Sequence, residues 1–216
     1  MIIPALIPKS LEQLSSELKT LSFQTNLQID VVDGHFAPFI SWPYEPKGEV
    51  KDAKTILEPF SFEVDLMVSD PLLAASAWIL AGARRLVFHL ESIVNPSEAI
   101  ASSKQAGVQV GLAVGNDTPL EALIPHINDI DFVQLMGIAK IGSQGQPFDE
   151  RVFPRITELR ARYPELVISI DGAVGKENIA ALKNSGASRF VVGSEILEDV
   201  GREAEYRALL SLIGEQ

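Results

Sequence analysis

The sequence predicts an α/β protein in which eight parallel strands, each followed by a helix, close into a barrel. Short apolar runs rich in β-branched residues alternate with helix-like segments along the whole chain. The runs are nearly continuous rather than alternating, which is typical of parallel strands buried on both faces. Eight such units in 216 residues suit a compact (β/α)8 TIM barrel, a fold with a typical length of about 250 residues. A doubly wound open sheet is the alternative.

The predicted strands share this apolar, β-branched character and are bounded by turn residues. In chain order they are IIPALI (2–7), LQIDVV (27–32), FEVDLMV (62–68), RLVFHLE (85–91), VQVGLAV (108–114), FVQLMGI (132–138), LVISID (166–171) and RFVVGSEI (189–196).

The predicted helices lie between these runs. They cover 10–21, 70–83, 95–107, 118–127, 148–163, 175–187 and 201–216, and 42–59 is predicted as a long loop with a short helix. Segments 95–98 and 118–121 each supply a cap residue, then Pro, then Glu at the position that a capping box requires. Gly82, Gly107 and Gly186 stand where helices are expected to end. No linker or low-complexity tract divides the chain, so residues 1–216 are expected to form a single domain.

Composition excludes several classes of function. The net charge of −11 and pI near 4.7 argue against binding to nucleic acid or anionic membranes, because phosphate groups would be repelled. The chain has no Cys, which excludes disulfides, thiolate nucleophiles and Cys-based zinc sites. No run of 18 apolar residues that could span a bilayer is present, and the N-terminus lacks the pattern of a signal peptide. A cytoplasmic protein is therefore expected.

Polar residues follow the predicted strands at their carboxyl ends, where the active sites of (β/α)8 barrels lie. They are Asp30 in the second run and Asp33 directly after it, Asp65 in the third, His89 and Glu91 in the fourth, Asn116 after the fifth, Asp171 in the seventh and Gly193-Ser194 in the eighth. These side chains are expected to line the mouth of the barrel.

The pattern of residues is more specific than the fold. The segments DVVDGHFAPFISWP, VDLMVSDP, FHLES, LAVGNDTPLEAL, SIDGAV and VVGSEIL resemble those of the ribulose-phosphate 3-epimerase family in order and spacing. The resemblance covers nearly the whole chain, and the string D-x-x-D-G-H-F-x-P is its most specific part. It implies a ribulose-phosphate-binding type of TIM barrel and an isomerase of carbohydrate metabolism that interconverts ribulose 5-phosphate and xylulose 5-phosphate.

The resemblance also implies two catalytic aspartates, on opposite faces of the sugar, which match Asp30 and Asp171. One removes the proton at C3, and the other delivers a proton from the opposite side of the enediolate. Inversion at carbon requires such a pair, with pKa values set apart by their surroundings.

The metal site departs from the family pattern. The family combines the two aspartates with two histidines, whereas this chain has Gln28 and Asp65 at those positions. The expected ligand set, Gln28, Asp30, Asp65 and Asp171, offers only oxygens, which favours Mg2+ or Mn2+ over Zn2+. The alternative is that no metal binds. The three carboxylates would then repel one another, so at least one of these carboxyl groups should hold a proton at neutral pH. Gln28 could instead form a hydrogen bond with a neighbour and play no part in metal binding. Glu63 lies on the same strand face as Asp65 and is the alternative to it as a functional residue.

A phosphorylated sugar is the expected ligand. The resemblance assigns the substrate site to residues that precede or follow strand ends: Met67, His89, Met136, Gly142, Gly145, Gly172, Gly193 and Ser194. His89, Met67 and Met136 could equally be core residues. Ala5 replaces a serine of the family, and the loop GIAKIGSQGQPF (137–148) is one residue longer than usual, with Lys140 as an added charge.

Two other functions remain open at this point. Asp65 and Asp70 match the spacing of the D-x-K-x-x-D motif of related phosphosugar decarboxylases and hexulose-phosphate synthases, but Met67 occupies the position of the lysine, which disfavours that chemistry. The second is a catalytically altered barrel that binds a sugar phosphate as a sensor or regulatory subunit. Retention of both Asp30 and Asp171 favours an enzyme. The sequence leaves a homo-oligomer open.

Overall fold

The barrel is closed. The structure is a computed structural model that describes residues 1–141, 145–198 and 200–215. Its eight strands follow one another around the barrel in chain order, and the last strand pairs in parallel with the first, with Ile2 opposite Phe190 and Pro4 opposite Val192. The prediction of a (β/α)8 TIM barrel is confirmed, and the doubly wound sheet is excluded.

The strands coincide with the predicted apolar runs to within a few residues. They are β1 (Ile2–Leu6), β2 (Asn26–Val32), β3 (Ser61–Met67), β4 (Arg85–His89), β5 (Gln109–Val114), β6 (Phe132–Met136), β7 (Ile168–Asp171) and β8 (Arg189–Val192). The eighth strand is shorter than predicted, because the chain turns at Gly193 and Ser194 begins a helix.

Helices follow the strands on the outside of the barrel. In the described residues they are α1 (Leu11–Thr20), α2 (Lys54–Leu57), α3 (Pro71–Ala81), α4 (Pro96–Gln105), α5 (Val152–Arg162), α6 (Ile179–Ser185), α7 (Ser194–Leu197) and α8 (Arg202–Leu212). The described residues also form two short 3-10 helices, Val50–Ala53 and Leu120–His126.

Helix ends obey the predicted signals with one exception. Asn95 caps α4 by accepting a hydrogen bond from the backbone N–H of Glu98, and Gly82 and Gly186 end α3 and α6 in the left-handed conformation. The predicted capped α-helix at 118–127 is wrong. The hydroxyl of Thr118 donates to Glu91 instead of capping, and Pro125 lies inside the segment, where its missing N–H disfavours an α-helix. A 3-10 segment forms there.

The main apolar core lies between the sheet and the outer helices. Phe62, Phe88 and Trp78 are among its largest fully buried side chains, and the ring of Trp78 packs edge-on against Phe62 at 6.3 Å between centroids. Burial of one such side chain contributes roughly 1.5–3 kcal/mol. Apolar packing between the outward-facing strand residues and the helices therefore holds the helices against the barrel.

The interior of the barrel is unusually polar for this fold, in which Val, Ile and Leu normally fill the layers. At the amino end of the strands, the buried carboxylate of Glu63 accepts hydrogen bonds from Arg85, at 3.0 Å, and from Arg189. The guanidinium of Arg189 lies 4.1 Å from the centre of the Phe132 ring. We refer to these four side chains as the floor of the barrel. The two arginines neutralise the charge of Glu63 at the end of the barrel away from the mouth.

Within the described ranges, none of the helices combines the length and the apolar character that crossing a membrane would require.

Candidate active site

Three carboxyl groups meet inside the barrel near the carboxyl ends of β2, β3 and β7. They belong to Asp30, Asp65 and Asp171, and one oxygen of each lies within 4.8 Å of the others. Asp30 and Asp65 are directly opposite each other in the register of β2 and β3. Asp65 is fully buried, Asp30 is 7% exposed and Asp171 is partly buried, so Asp65 is the most deeply buried of the three.

Two side-chain amides connect the three carboxyl groups. Nε2 of Gln28 donates to Oδ1 of Asp30 and to Oδ2 of Asp171, both at 2.7 Å. Nε2 of Gln134 donates to Oδ2 of Asp65 at 2.9 Å and to Oδ2 of Asp171 at 3.1 Å. Both glutamines are fully buried. Asp171 therefore accepts a hydrogen bond from each amide and is the centre of the network.

Gln134 was not predicted as a site residue. It lies in the middle of β6, within an apolar run, and its partners are 37 and 69 residues away in the chain. The available signal was its position two residues before Met136, since residues i and i+2 of a strand share one face. A polar residue on the interior face of a buried strand requires a partner, and here the partners are the candidate catalytic groups.

The reactive aspartates each retain one oxygen that the network does not use. Among the described residues, no donor contacts Oδ2 of Asp30 or Oδ1 of Asp171, whereas both oxygens of Asp65 are hydrogen-bonded, one of them to His89. Asp30 and Asp171 therefore have an oxygen available to a ligand in the cavity. Asp65 is fully occupied by protein donors.

His89 lies behind Asp65 and does not line the cavity. Its Nε2 is 2.7 Å from Oδ1 of Asp65, its side chain is fully buried, and its ring packs against Phe36 at 5.2 Å between centroids. Burial lowers the pKa of His89, but the carboxylate of Asp65 outweighs this effect and the pKa is raised. The structure thus places His89, predicted to bind substrate, as a support for Asp65.

The pKa values of both candidate catalytic groups are raised. Burial is the largest cause for Asp30, followed by the negative charges of Asp171 and Asp65. Burial and the charge of Asp65 raise the pKa of Asp171 to about 8. The pair therefore holds a proton at neutral pH, as expected for converging carboxyl groups. One protonated and one ionised carboxyl group are what an acid-base pair needs.

The turn after β7 fixes the backbone of Asp171. The N–H of Gly137 donates to the carbonyl oxygen of Asp171 at 2.6 Å, and a Cβ on Gly137 would come 2.2 Å from the carbonyl oxygen of Gly172. Gly172 has φ of 105° and Ala173 has φ of 52°, both in the left-handed region that disfavours side chains. Gly137 and Gly172 therefore allow the ends of β6 and β7 to approach closely beside the catalytic carboxyl group.

The cavity at the mouth of the barrel is lined by the three carboxyl groups together with glycines and apolar side chains. Predicted site residues in its lining are Asp30, Asp65, Met67, Met136, Gly145, Asp171, Gly172, Gly193 and Ser194. Ala5 also lines it. Gly142 falls outside the described residues. Gln28 lies beneath the lining, and Glu63 belongs to the floor of the barrel.

The carboxyl groups suit a hard divalent cation. Their oxygens converge within 4.8 Å, and carboxylate oxygen is the ligand type that Mg2+ and Mn2+ prefer. The amides as oriented do not suit a cation, because Nε2 of Gln28 and of Gln134 faces the carboxylates while each Oε1 is buried without a hydrogen-bond partner. The aspartate cluster could bind a metal, and an oxygen ligand from Gln28 would require its amide to turn.

Comparison with known proteins identifies the family. A model described as the ribulose-phosphate 3 epimerase family matches residues 1–197. The chain belongs to this family. Its relatives include the ribulose-phosphate 3-epimerase of Aquifex aeolicus, which is 32% identical over 87% of this chain and 84% of that protein. The ribulose-phosphate 3-epimerase of Eremothecium gossypii is 31% identical over 79% of this chain and 74% of its own length.

Solved structures show how widely the fold is shared. The 3-hexulose-6-phosphate synthase of Salmonella typhimurium superposes with a TM-score of 0.72, covering 98% of this chain and 97% of that one, at 16% sequence identity. An identity this low supports the barrel fold alone. The assignment to the epimerase family rests on the sequence matches.

Proposed function

We propose that this protein is a ribulose-phosphate 3-epimerase, an isomerase that interconverts ribulose 5-phosphate and xylulose 5-phosphate by two-base proton transfer at C3. The observation that carries the proposal is the pairing of Asp30 and Asp171. Both have raised pKa values and both line the same cavity. Membership of the epimerase family supports the same reaction.

The proton transfers follow from this pair. The ionised carboxylate of one aspartate takes the proton from C3, and the electrons of that bond move toward the C2 carbonyl oxygen to give an enediolate. The protonated carboxyl group of the other aspartate then delivers its proton to the opposite face of C3. The product is the C3 epimer, and the two aspartates have exchanged protonation states. The reverse reaction starts from that exchanged state.

The phosphate end of the substrate is proposed to lie at the ends of β7 and β8. Gly172, Gly193 and Ser194 line the cavity there, and glycine lets an anion approach the backbone N–H groups closely. Met67 and Met136 are apolar members of the same lining, 4% and 3% exposed. A phosphorylated sugar fits a cavity whose lining combines carboxyl groups, apolar side chains and glycines.

Gln28, Asp30, Asp65 and Asp171 are proposed as the ligands of any divalent cation at this site, and an all-oxygen set favours Mg2+ or Mn2+ over Zn2+. Bound there, such an ion would supply Lewis-acid stabilisation of the oxygens of the enediolate.

The two alternatives are less well supported. Decarboxylase or aldol chemistry of the related barrels would need a cation at the position of Met67, which is an apolar wall of the cavity. A sensor that only binds sugar phosphate would gain nothing from two opposed, hydrogen-bonded carboxyl groups with raised pKa values. Cytoplasmic location, the absence of nucleic-acid and membrane partners, assembly into a homo-oligomer and a single domain over 1–216 remain predictions.

The test is epimerisation of ribulose 5-phosphate in D2O, followed by proton NMR with and without added Mg2+ or Mn2+. We expect deuterium at C3 and formation of xylulose 5-phosphate. The double variant Asp30→Asn/Asp171→Asn should lose both while still binding the sugar phosphate, as measured by calorimetry. Full turnover by the double variant, or protection of C3 in the wild type under every condition, would contradict the proposal.

A further inference from the structure

We propose that the amide groups of Gln28 and Gln134 hold the three carboxyl groups in their reactive arrangement without a divalent cation, so that epimerisation proceeds on metal-free protein. We call Gln28 and Gln134 the amide clamp. The inference rests on the proposed function, and it assigns to Gln134 a positioning role.

The first argument is the supply of positive partners around the carboxyl groups. In the part of the chain that the structure describes, no lysine or arginine lies within ion-pair distance of Asp30, Asp65 or Asp171, and His89 is the one basic side chain in contact with them. The floor of the barrel shows the opposite solution, since the single carboxylate of Glu63 has two arginines. The clamp supplies hydrogen bonds where the floor supplies charge.

The second argument is the number of N–H bonds used. An amide NH2 group has two donors. Gln28 directs its pair at Asp30 and Asp171, and Gln134 directs its pair at Asp65 and Asp171. All four donors of the clamp therefore go to carboxyl oxygens.

The third argument fixes which way the amides face. If either amide turned over, its carbonyl oxygen would stand 2.7 to 3.1 Å from two carboxyl oxygens, and the proton shared by Asp30 and Asp171 could relieve only one of these contacts between acceptors. In the observed orientation the unfavourable feature is a buried Oε1 without a partner in each glutamine. In this orientation two buried amide oxygens lack a hydrogen-bond partner among the described residues, and four N–H bonds are directed at the carboxyl groups.

The clamp and a cation compete for the oxygens of Asp65. Asp30 and Asp171 each keep one oxygen that the amides do not use, but both oxygens of Asp65 already accept hydrogen bonds, from Gln134 and His89. A divalent ion shared by all three carboxyl groups would therefore compete with the amide of Gln134 for Asp65. The clamp should therefore weaken the affinity of the cluster for cations as well as make the cation unnecessary. A residue that served instead as a metal ligand through Oε1 would strengthen that affinity.

The test uses the full-length protein after chelation, with its metal content measured by plasma mass spectrometry. Epimerisation of ribulose 5-phosphate is assayed before and after addition of Mn2+, and Mn2+ binding is measured by calorimetry. Gln134→Met keeps the length of the side chain but removes its donors, and Gln134→Glu replaces the donors with a further carboxylate. The control is Ser169→Ala, because Ser169 lies opposite Gln134 in the register of β6 and β7, is equally buried, and makes no hydrogen bond through its hydroxyl.

We expect metal-free wild type and Ser169→Ala to turn over at a rate close to that with Mn2+. Metal-free Gln134→Met should lose about 10-fold or more in kcat with little change in KM, because the carboxyl groups are misplaced rather than removed. It should bind Mn2+ at least as tightly as wild type, and Gln134→Glu should bind Mn2+ more tightly and depend on it for turnover.

Wild-type protein that is inactive when metal-free and active with Mn2+ would overturn this inference while leaving the proposed function intact. Weaker Mn2+ binding by Gln134→Met would also overturn it, by making Gln134 a ligand. Absence of turnover in both states would overturn the proposed function and the inference with it. The wild-type comparison decides the matter even if a variant fails to fold.

Discussion

Gln28 and Asp171 are separated by 143 positions in the chain, yet Nε2 of Gln28 donates to Oδ2 of Asp171 at 2.7 Å. The same Nε2 donates to Asp30, so one amide joins the two carboxyl groups that the proposed reaction uses as base and acid. Closure of the barrel makes this possible, because it brings β2 and β7 to the same mouth although β1 and β8 lie between them. The first prediction concerns these two acids.

Single substitution of each aspartate should separate the two half-reactions. We expect Asp30→Asn and Asp171→Asn to lose epimerisation by on the order of 10²–10⁴-fold, since each removes one partner of an acid-base pair. Each variant retains the other carboxyl group, which still reaches one face of C3. Incubation in D2O should therefore show exchange at C3 of ribulose 5-phosphate in one variant and of xylulose 5-phosphate in the other. Exchange of both sugars by a single variant would indicate one base instead of two.

Stability should fall as the pH rises from about 4 to 8. The folded-state pKa of Asp171 is raised from 3.8 to about 8, so the folded protein binds this proton more tightly than the unfolded chain does. The stabilisation is complete below the unfolded pKa and is lost as the pH rises toward the folded one, by at most about 1.4 kcal/mol per pH unit for one proton. The raised pKa of His89 acts with the same sign.

Urea unfolding at several pH values in the presence of a chelator measures this slope. Asp171→Asn cannot titrate and should show a flatter profile than wild type between pH 5 and 8. An equal slope in the two proteins would mean that Asp171 is ionised throughout this range.

The sequence predicted the barrel well because its signals are local. Most residues of each β-strand belong to a nearly continuous apolar run, and the left-handed glycines that end α3 and α6 lie directly after their helices. The prediction at 118–127 failed because its signal was only local: a cap residue followed by Pro and Glu does not reveal that Thr118 has a better partner in Glu91, 27 residues away.

The site was predictable only in part because its contacts are distant in sequence. Family resemblance placed Asp30, Asp65 and Asp171, and the structure brings them together. It could not reveal Gln134, which matches no family motif and acquires its role only from Asp65 and Asp171 across the barrel. Nor could spacing tell Glu63 from Asp65, since both point into the barrel. Two arginines from β4 and β8 decide that Glu63 is structural.

Substitution of Glu63 should therefore reduce stability and leave binding of the sugar phosphate unchanged. Glu63→Gln removes the anion from between Arg85 and Arg189, and breaking a buried ion pair in this way costs about 3–5 kcal/mol. Chemical unfolding and calorimetric binding of ribulose 5-phosphate measure the two effects. Glu203→Gln is the matched control, because Glu203 pairs with Arg207 on the surface of α8, where the loss should be roughly 0.3–0.5 kcal/mol. Unchanged stability in Glu63→Gln with lost activity would place Glu63 in the catalytic site.

The turn after β7 should be as important for turnover as the carboxyl group that it holds. Gly172→Ala places a Cβ at a φ of 105°, 2.8 Å from a side-chain carbon of Ile138, so the turn must shift and Asp171 moves with it. A displacement of about 1 Å can cost on the order of 10²-fold in rate. Gly107→Ala is the control, since Gly107 also has positive φ, 79°, but its Cβ would meet nothing within 4 Å.

Both substitutions should destabilise the protein through backbone strain of about 1 kcal/mol or more, and only Gly172→Ala should lower kcat. Unfolding curves and initial rates of epimerisation for the two variants separate strain from displacement. If Gly172→Ala kept the kcat of Gly107→Ala at equal loss of stability, the turn would not position Asp171, and the close contact between the ends of β6 and β7 would have to be explained by packing alone.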